Sequence, residues 1–191
     1  MRTAVVIPVK SFTMAKGRLA DTLTPSQRED LARTCAETVI RAASPLPAYV
    51  VCSDDDVASW AVSVGAHVVR CTTPGLDVAV AAGRSAIAAE GFDHIIVAHA
   101  DLPLATSLAH VAREGMVTMV TDRHSDGTNV LSFPIASSFT TAYGPGSLDN
   151  HIRAAAACGL AHETINDPSL ALDLDTADDL SELERRRKDI S

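Results

Sequence analysis

Short apolar runs alternate with longer amphipathic segments along this chain. The apolar runs predict β-strands at 3–9, 48–53, 66–70, 94–99, 116–121 and 129–133. Near-continuous apolar runs of this kind are typical of strands covered on both faces, as in a mainly parallel sheet. Because helical segments separate the strands, the pattern predicts an α/β fold, a three-layer sandwich around a mainly parallel mixed sheet.

The clearest helix is predicted to begin after Thr24, with Pro25 at its first position. Leu31, Cys35 and Val39 follow four residues apart and form one apolar stripe. Further helices are predicted at 54–64, 76–90, 106–114, 147–158 and 176–189.

Length and composition favour one globular domain spanning residues 1–191. The chain is 47% hydrophobic and carries a formal charge of −8, which argues against a general nucleic-acid binder. No apolar run approaches the roughly 20 residues of a membrane span, and no signal segment precedes the first strand. The four cysteines fit small buried residues in a reducing compartment. We therefore expect a cytoplasmic protein without a membrane or nucleic-acid partner.

Two acidic residues, Asp173 and Asp175, alternate with leucines in a run, 171–180, that begins like a strand and ends like a helix start. On a strand both carboxylates share one face, because side chains alternate with period two. Such a pair is tolerable if it is solvated or if a cation lies between its members, and Mg²⁺ prefers oxygen ligands and substrate phosphates. A solvated turn before a helix capped by Asp175 or Thr176 explains the same residues.

A basic loop follows the first strand and contributes Lys10, Lys16 and Arg18. Neither a dinucleotide fingerprint nor a P-loop is present. Cationic side chains in such a loop can neutralise a triphosphate, and a solvated basic loop is the alternative. Asp101 follows strand 94–99 and is either a turn cap or a metal ligand, while His99 is interpreted as a hydrogen-bonded core histidine. Ligands of open α/β sheets bind beyond the carboxyl ends of strands, where these residues lie.

Two glycine-containing turns add a possible anion site. The first is Asp126-Gly127-Thr128-Asn129, and the second, Tyr143-Gly144-Pro145-Gly146-Ser147, leads into a predicted helix. Ser147 is a good helix cap on structural grounds alone. Free N–H groups at such a helix N-terminus also attract a phosphate or carboxylate.

Taken together and in this order, these segments resemble the 2-phospholactate/phosphoenolpyruvate guanylyltransferases of coenzyme F420 biosynthesis. The segments that carry the resemblance are Ile7-Pro8-Val9-Lys10 with Ala15-Lys16-Gly17-Arg18-Leu19, Cys52-Ser53-Asp54-Asp55, Pro74-Gly75-Leu76-Asp77, His99-Ala100-Asp101-Leu102-Pro103-Leu104, Gly127-Thr128-Asn129, Tyr143-Gly144-Pro145-Gly146-Ser147 with His151, and Leu172-Asp173-Leu174-Asp175-Thr176-Ala177-Asp178-Asp179-Leu180. The resemblance implies a nucleotidyltransferase fold of the nucleotide-diphospho-sugar transferase (GT-A-like) kind. It also implies transfer of GMP from GTP to the phosphate of phosphoenolpyruvate, 2-phospho-L-lactate or 3-phosphoglycerate, with release of pyrophosphate.

The resemblance also implies a set of site residues. Mg²⁺ would be held by Asp101, Asp173 and Asp175. The catalytic residues would be Lys10, Lys16, Arg18 and Asp101. The nucleotide would be bound by Pro8, Lys10, Lys16, Arg18, Gly75, Leu76 and Asp77. The phosphorylated acid would be received by Thr128, Gly144 and Ser147, with backbone N–H groups helping.

Two departures from the family's usual pattern bear on selectivity. Asp126 replaces a glycine beside the expected acceptor, and Asp77 replaces an asparagine, so it accepts hydrogen bonds without donating any when ionised. The sequence leaves open the acceptor acid, the number of metal ions and the oligomeric state. The rival interpretations are another nucleotidyltransferase of similar fold, cytidylyl- or molybdopterin-type, a non-catalytic nucleotide-binding protein, and a plain structural α/β domain.

Overall fold

A seven-stranded sheet runs through the computed structural model, which describes residues 1–190 and the side chains of residues 1–188. Its strands are β1 (Thr3–Pro8), β2 (Ala48–Cys52), β3 (His67–Arg70), β4 (His94–Ala98), β5 (Met116–Thr121), β6 (Thr128–Pro134) and β7 (Ala161–Ile165). The strand order is β3-β2-β1-β4-β6-β5-β7. β6 is antiparallel to both its neighbours, and the other pairs are parallel. The mainly parallel mixed sheet is therefore confirmed.

Helices cover both faces of this sheet, which confirms the three layers. They are α1 (Pro25–Ala43), α2 (Asp55–Ser63), α3 (Leu76–Ala89), α4 (Ser147–Ala157) and α5 (Ala177–Ile190). Successive residues of β1 point to opposite faces of the sheet. Val5 packs into the core that α1 and α2 share, and Val6 packs into the core beneath α3 and α4. At Gly83 a Cβ would lie 2.5 Å from Val6 Cγ1, so only glycine lets α3 approach β1 this closely.

The helix predicted at 106–114 is wrong, because only a 3₁₀ turn, Ala109–Val111, forms there. Leu108 donates its N–H to the carbonyl of Ala42 at the end of α1 (2.9 Å), and its side chain is fully buried. Tertiary contacts thus override the local helical pattern. The sequence analysis also missed β7, an exposed edge strand that pairs only with β5 and has no apolar run to signal it.

The acidic run 171–180 is extended at its start but joins no strand of the sheet. Leu174 donates its N–H to the carbonyl of Asp101 (3.1 Å), which ties the run to the end of β4. Leu172 and Leu174 are fully buried, in a cluster with Cys35 and Leu183. Asp173 and Asp175, which alternate with these leucines, are not part of that cluster.

The cap predicted at Thr176 is confirmed at the start of α5. The Thr176 hydroxyl accepts from the N–H of Asp179 (3.3 Å), and the Asp179 carboxylate accepts from the N–H of Thr176 (2.8 Å). This reciprocal pattern is the capping box of helix N-termini. The predicted start of α1 is also confirmed: Thr24 is its cap, Pro25 is its first residue, and Thr24 forms a capping box with Gln27.

All four cysteines are free, but only Cys35 and Cys52 are buried, and Cys71 and Cys158 are half-buried. The expectation of buried cysteines thus holds for two of the four. Among the residues that the structure describes, no helix combines the length and the apolar character needed to cross a membrane. The cytoplasmic location stays a prediction.

Candidate active site

The predicted site residues gather at one edge of the sheet. β1 and β4 end there, and β6 begins there because it runs antiparallel to β4. His99 donates its N–H to the carbonyl of Asn129 (3.0 Å), so the segment after β4 and the start of β6 are joined. Asp101 and Thr128, which lie far apart in sequence, are thereby brought to the same edge.

Lys16 lies between two of the predicted metal ligands. Its Nζ is 2.9 Å from Asp101 Oδ2 and 3.4 Å from Asp175 Oδ1, and its side chain is only 6% exposed. Lys16 adopts φ +57°, a left-handed conformation uncommon for a non-glycine residue. We call Lys16, Asp101, Asp173 and Asp175 the carboxylate cluster.

Lys16 stabilises the ionised form of Asp101. Burial would raise the pKa of this carboxyl, but the Lys16 charge and hydrogen bond hold it below its usual value. Burial likewise works against the charge on Lys16, and the two carboxylates nevertheless raise its pKa. Only Oδ2 of Asp101 is bonded, whereas Oδ1 is buried without a hydrogen-bond partner. An unsatisfied anionic oxygen in a buried position is what a bound cation or donor would complete.

Asp173 has the opposite electrostatic environment. Burial and the negative charges of Asp101 and Asp175 raise its pKa. Asn129 partly offsets this, since its Nδ2 lies 3.5 Å from Asp173 Oδ1. Among the described residues, no group of three or more His, Cys, Asp and Glu side chains is arranged closely enough to hold a metal ion. Lys16 is the cation that the carboxylates contact directly.

The rest of the basic loop projects outward. Lys10 and Arg18 are exposed, and neither forms an ion pair with another described residue. Pro8 ends β1. The structure therefore separates the three predicted cations into one buried lysine and two exposed side chains.

The predicted nucleoside segment is tied to the second glycine turn. Gly75 caps α3 with φ +125°, and Leu76 is half-buried. Asp77 Oδ1 accepts from the N–H of Tyr143 (3.2 Å), so this carboxylate already has a backbone partner. We call 142–147 the acceptor loop, because the sequence analysis expected the acceptor to bind there. Asp77 thus connects the nucleoside segment with the acceptor loop.

Several backbone N–H groups of the acceptor loop and the first turn of α4 are already bonded within the protein, whereas the sequence analysis expected them to be free. Gly146 donates to Asp126 Oδ2, and Leu148 donates to the Asp126 carbonyl, both at 3.1 Å. Ser147 donates its N–H to the carbonyl of Gly144 (3.1 Å). The helix cap is Gly146, at φ +67°, and Ser147 is the first helical residue. Asp126 thus occupies the position expected for an external anion.

A hydroxyl network lies beside this turn. Thr128 Oγ1 is 3.0 Å from His151 Nδ1, and Ser147 Oγ donates to it over 3.4 Å. His151 Nε2 accepts from the N–H of Ala142 (3.0 Å). Thr128, Ser147 and His151 are all buried. The network joins the start of β6, the acceptor loop and α4.

Two aromatic residues between these regions carry unpaired polar atoms. His99 Nε2 and Tyr143 Oη are buried without a hydrogen-bond partner, and the two rings lie 5.4 Å apart. The interpretation of His99 as a hydrogen-bonded core histidine is therefore wrong for its side chain. Tyr143 also packs edge-on against His151 at 4.8 Å.

Sequence reasoning assigned no role to Asn129, Tyr143 or His151. His151 follows Ser147 by four residues, so the two share one face of α4, and this spacing was a usable signal. No comparable signal marks Asn129 and Tyr143, because their partners are distant in sequence.

The fold and this edge of the sheet define a nucleotidyltransferase architecture. A candidate nucleotide-diphospho-sugar transferase from Desulfovibrio desulfuricans superposes with a TM-score of 0.74 at 13% identity, over 98% of this chain and 88% of that one. A nucleotidyl transferase from Methanothermobacter thermautotrophicus gives a TM-score of 0.66 at 12% identity, over 100% and 99% of the two chains. At these identities the likeness establishes the fold.

The family is established by sequence. The family described as guanylyl transferase CofC like matches residues 3–187, and the chain belongs to this family. A phosphoenolpyruvate guanylyltransferase of Chloroflexus aurantiacus is 31% identical, over 95% of this chain and 94% of the relative. A 2-phospho-L-lactate guanylyltransferase of Methanothermobacter thermautotrophicus is 32% identical, over 96% and 84% of the two chains.

Proposed function

We propose that the protein transfers GMP from GTP to the phosphate of a small three-carbon acid and releases pyrophosphate, as a step of coenzyme F420 biosynthesis. The acid is phosphoenolpyruvate, 2-phospho-L-lactate or 3-phosphoglycerate. Family membership and the names of relatives that act on two of these acids support the reaction.

The observation that carries the proposal is the carboxylate cluster. Asp101 and Asp175, separated by 74 positions along the chain, contact one lysine ammonium at the edge where ligands of α/β sheets bind. A solvated turn would not require a buried lysine between two carboxylates that are distant in sequence. It suits a reaction in which negative charge moves between phosphates.

A divalent cation, Mg²⁺, fits the chemistry of these oxygens. Asp101, Asp173 and Asp175 would hold it after their side chains move closer together, because Lys16 lies between Asp101 and Asp175 in the structure; the unpaired Oδ1 of Asp101 supports this assignment. When bound, the ion would neutralise phosphate oxygens of the substrates. Lys16 contacts two of these carboxylates in the structure. If the cation replaced its ammonium there, the ammonium would become available to bind the triphosphate.

The remaining chemistry follows from charge and orientation. A phosphate oxygen of the acid is ionised near neutral pH, so it attacks the α-phosphorus of GTP without a general base. Lys10, Lys16 and Arg18 stabilise the negative charge that accumulates on the leaving pyrophosphate. Pro8, Gly75, Leu76 and Asp77 line the nucleotide side. Holding both substrates in line supplies the orientation that the reaction needs.

The acid is received at the acceptor loop and the start of β6. Thr128, Gly144 and Ser147 are the proposed contacts, and the hydroxyl network suits an anionic oxygen. Asp77 keeps the nucleoside segment and the acceptor loop at a fixed separation through Tyr143. Both substrates therefore meet beside the carboxylate cluster.

A pyrophosphate-release screen tests this function. The purified protein is assayed with GTP, CTP, ATP and UTP, each with the three acids and with Mg²⁺ or EDTA. We expect release only with GTP, one or more of the acids and Mg²⁺. Release with CTP in place of GTP would favour a cytidylyltransferase, and no release under any combination would support a non-catalytic binding protein.

A further inference from the structure

His151 is fully buried, and both its ring nitrogens have partners. Nε2 accepts from the N–H of Ala142, because a backbone N–H acts only as a donor. Burial lowers the pKa of His151 to about 4, so the ring is neutral near neutral pH. A neutral imidazole that accepts at Nε2 carries its hydrogen on Nδ1. His151 therefore donates from Nδ1 to Thr128 Oγ1.

Counting hydrogens shows that the network has one donor too many. The Nδ1–H group and the hydroxyls of Thr128 and Ser147 supply three hydrogens. They serve two contacts, from His151 to Thr128 and between the two hydroxyls. Ser147 donates in the observed geometry, which leaves the Thr128 hydrogen; the reverse direction would leave the Ser147 hydrogen. In either case one O–H has no acceptor among the described residues.

We propose that His151 is a positioning residue for the acceptor: its Nδ1–H group holds the Thr128 hydroxyl in place, so that the Thr128–Ser147 pair presents its remaining O–H to an unprotonated oxygen of the phosphorylated acid. This inference rests on the proposed function, because the acid supplies that oxygen. The oxygen belongs to the carboxylate or to the phosphate of the acid, and both groups share the chemistry of a strong acceptor.

The neutral state of His151 matters for this role. A neutral donor network binds an anion without adding a positive charge, and bonds in such a chain polarise one another. A buried O–H without an acceptor is unfavourable, so a ligand that brings an oxygen is preferred over one that brings a donor. The Asp126 carboxylate is engaged with Gly146 and has no contact with the two hydroxyls.

Nitrogen-15 NMR of the histidine rings tests the first step without any enzymatic activity. We expect His151 to show the neutral tautomer protonated on Nδ1 at pH 7, assigned by loss of the signal in His151→Asn. Observation of the tautomer protonated on Nε2, or of a charged ring, would overturn the inference.

Two variants separate the two hydrogen bonds of His151. His151→Asn retains a donor near the Nδ1 position but no group that reaches Ala142, whereas His151→Gln retains an acceptor near the Nε2 position but no donor to Thr128. We expect His151→Gln to raise the KM for the acid about tenfold, because the Thr128 hydroxyl is no longer held in place and the hydrogen bond of the hydroxyl pair to the charged ligand is weakened. His151→Asn should raise this KM less than about threefold, and the KM for GTP should stay within about twofold in both.

Calorimetric binding of phosphoenolpyruvate, with Mg²⁺ and a non-hydrolysable GTP analogue, separates this inference from the proposed reaction. If the wild type binds the acid without turnover and His151→Gln weakens binding about tenfold, the inference stands and the reaction fails. If His151→Gln is folded by circular dichroism and has the wild-type KM and Kd for the acid, the inference is wrong. Equal losses in both variants that track a lowered Tm would show a purely structural role and overturn it. His162→Gln, in the exposed strand β7, is the matched control.

Discussion

The carboxylate cluster and the acceptor loop lie at the same edge of the sheet, but they balance charge in different ways. In the cluster, two of the three carboxylates contact one ammonium, and one buried carboxylate oxygen has no hydrogen-bond partner. In the acceptor loop, backbone N–H groups are bonded to Asp126 and Gly144, and the buried side chains beside it are neutral. The first region is electrostatically incomplete without a ligand, whereas the second is organised in advance.

This difference predicts that the acceptor loop tolerates the loss of a charged side chain better than the carboxylate cluster does. A cluster whose stability depends on opposed charges loses its function when one charge is removed, because no neighbour replaces it. A hydrogen-bonded loop keeps its shape when a single exposed charge is changed. The three predictions below test this contrast, from the largest expected effect to the smallest.

Asp101→Asn should lower kcat by roughly 10²–10³-fold, because it removes the charge that Lys16 stabilises and that the metal requires. Pyrophosphate release with GTP, Mg²⁺ and the preferred acid measures the effect. Circular dichroism should show an unchanged fold, since the amide is nearly isosteric with the carboxylate. Asp56→Asn, in an exposed position on α2, is the control with the same loss of charge and near wild-type kcat. Near-normal turnover of Asp101→Asn would exclude Asp101 from the reacting centre.

Much of this cluster could be predicted from the sequence, because the topology of α/β sheets places the ends of distant strands side by side. Asp101 follows β4, and the leucines that alternate with Asp173 and Asp175 are buried together, although the run forms no strand. The direct contact of Lys16 with Asp101 and Asp175 was not predictable. It depends on a left-handed backbone conformation at a lysine, which no sequence pattern indicates.

Asp173 should respond to acid in the opposite direction to two buried histidines, whereas Asp101, whose pKa is lowered, should respond in the same direction as they do. Burial lowers the pKa of His151, and that of His94 in β4, to about 4. The pKa of a histidine in the unfolded chain is about 6.5. A histidine whose pKa is lower in the folded protein contributes stability at pH values above about 6.5, and this contribution is lost as the pH falls towards about 4. Protonation of each histidine in the unfolded chain should lower the free energy of unfolding by up to about 3 kcal/mol as the pH falls from about 6.5 to about 4. Asp173, whose pKa is raised, favours the fold at low pH and loses that contribution as the pH rises.

Urea unfolding at pH 7, 5.5 and 4.5 measures this response. The wild type should lose stability on acidification, and His151→Asn and His94→Asn should each lose less. Asp173→Asn should respond differently, because it removes the group that opposes the loss, so its acid loss should be larger than that of the wild type. Parallel pH profiles for all four proteins would contradict the opposite signs expected for Asp173 and the two histidines.

The acceptor side was less predictable than the carboxylate cluster. The turn and its helix were recognised from Gly144, Gly146 and Ser147, but the free N–H groups expected there are bonded. Asp126 lies 20 residues before Gly146, so their contact depends on how β6 returns along the sheet. The sequence shows that Asp126 departs from the family's usual glycine. Only the structure shows that its carboxylate accepts a hydrogen bond from the N–H of Gly146.

Asp126→Asn should have the smallest effect, an improvement of about two- to fivefold in the KM for the acid. The amide oxygen still accepts from Gly146, so the acceptor loop keeps its shape, while one negative charge near the incoming anion is removed. An exposed charge interaction of this kind is worth about 0.2–1 kcal/mol, which sets the size of the effect. The KM for GTP should not change.

The control for this variant is Asp149→Asn, which removes an exposed carboxylate from the first turn of the same helix. Asp149 has no hydrogen bond to the acceptor loop, so its removal changes the net charge without touching the Gly146 contact. If both variants lower the KM for the acid equally, the effect is general electrostatics and Asp126 has no special position. If Asp126→Asn alone lowers it, the carboxylate that now satisfies the turn also limits how strongly an anionic acceptor binds there.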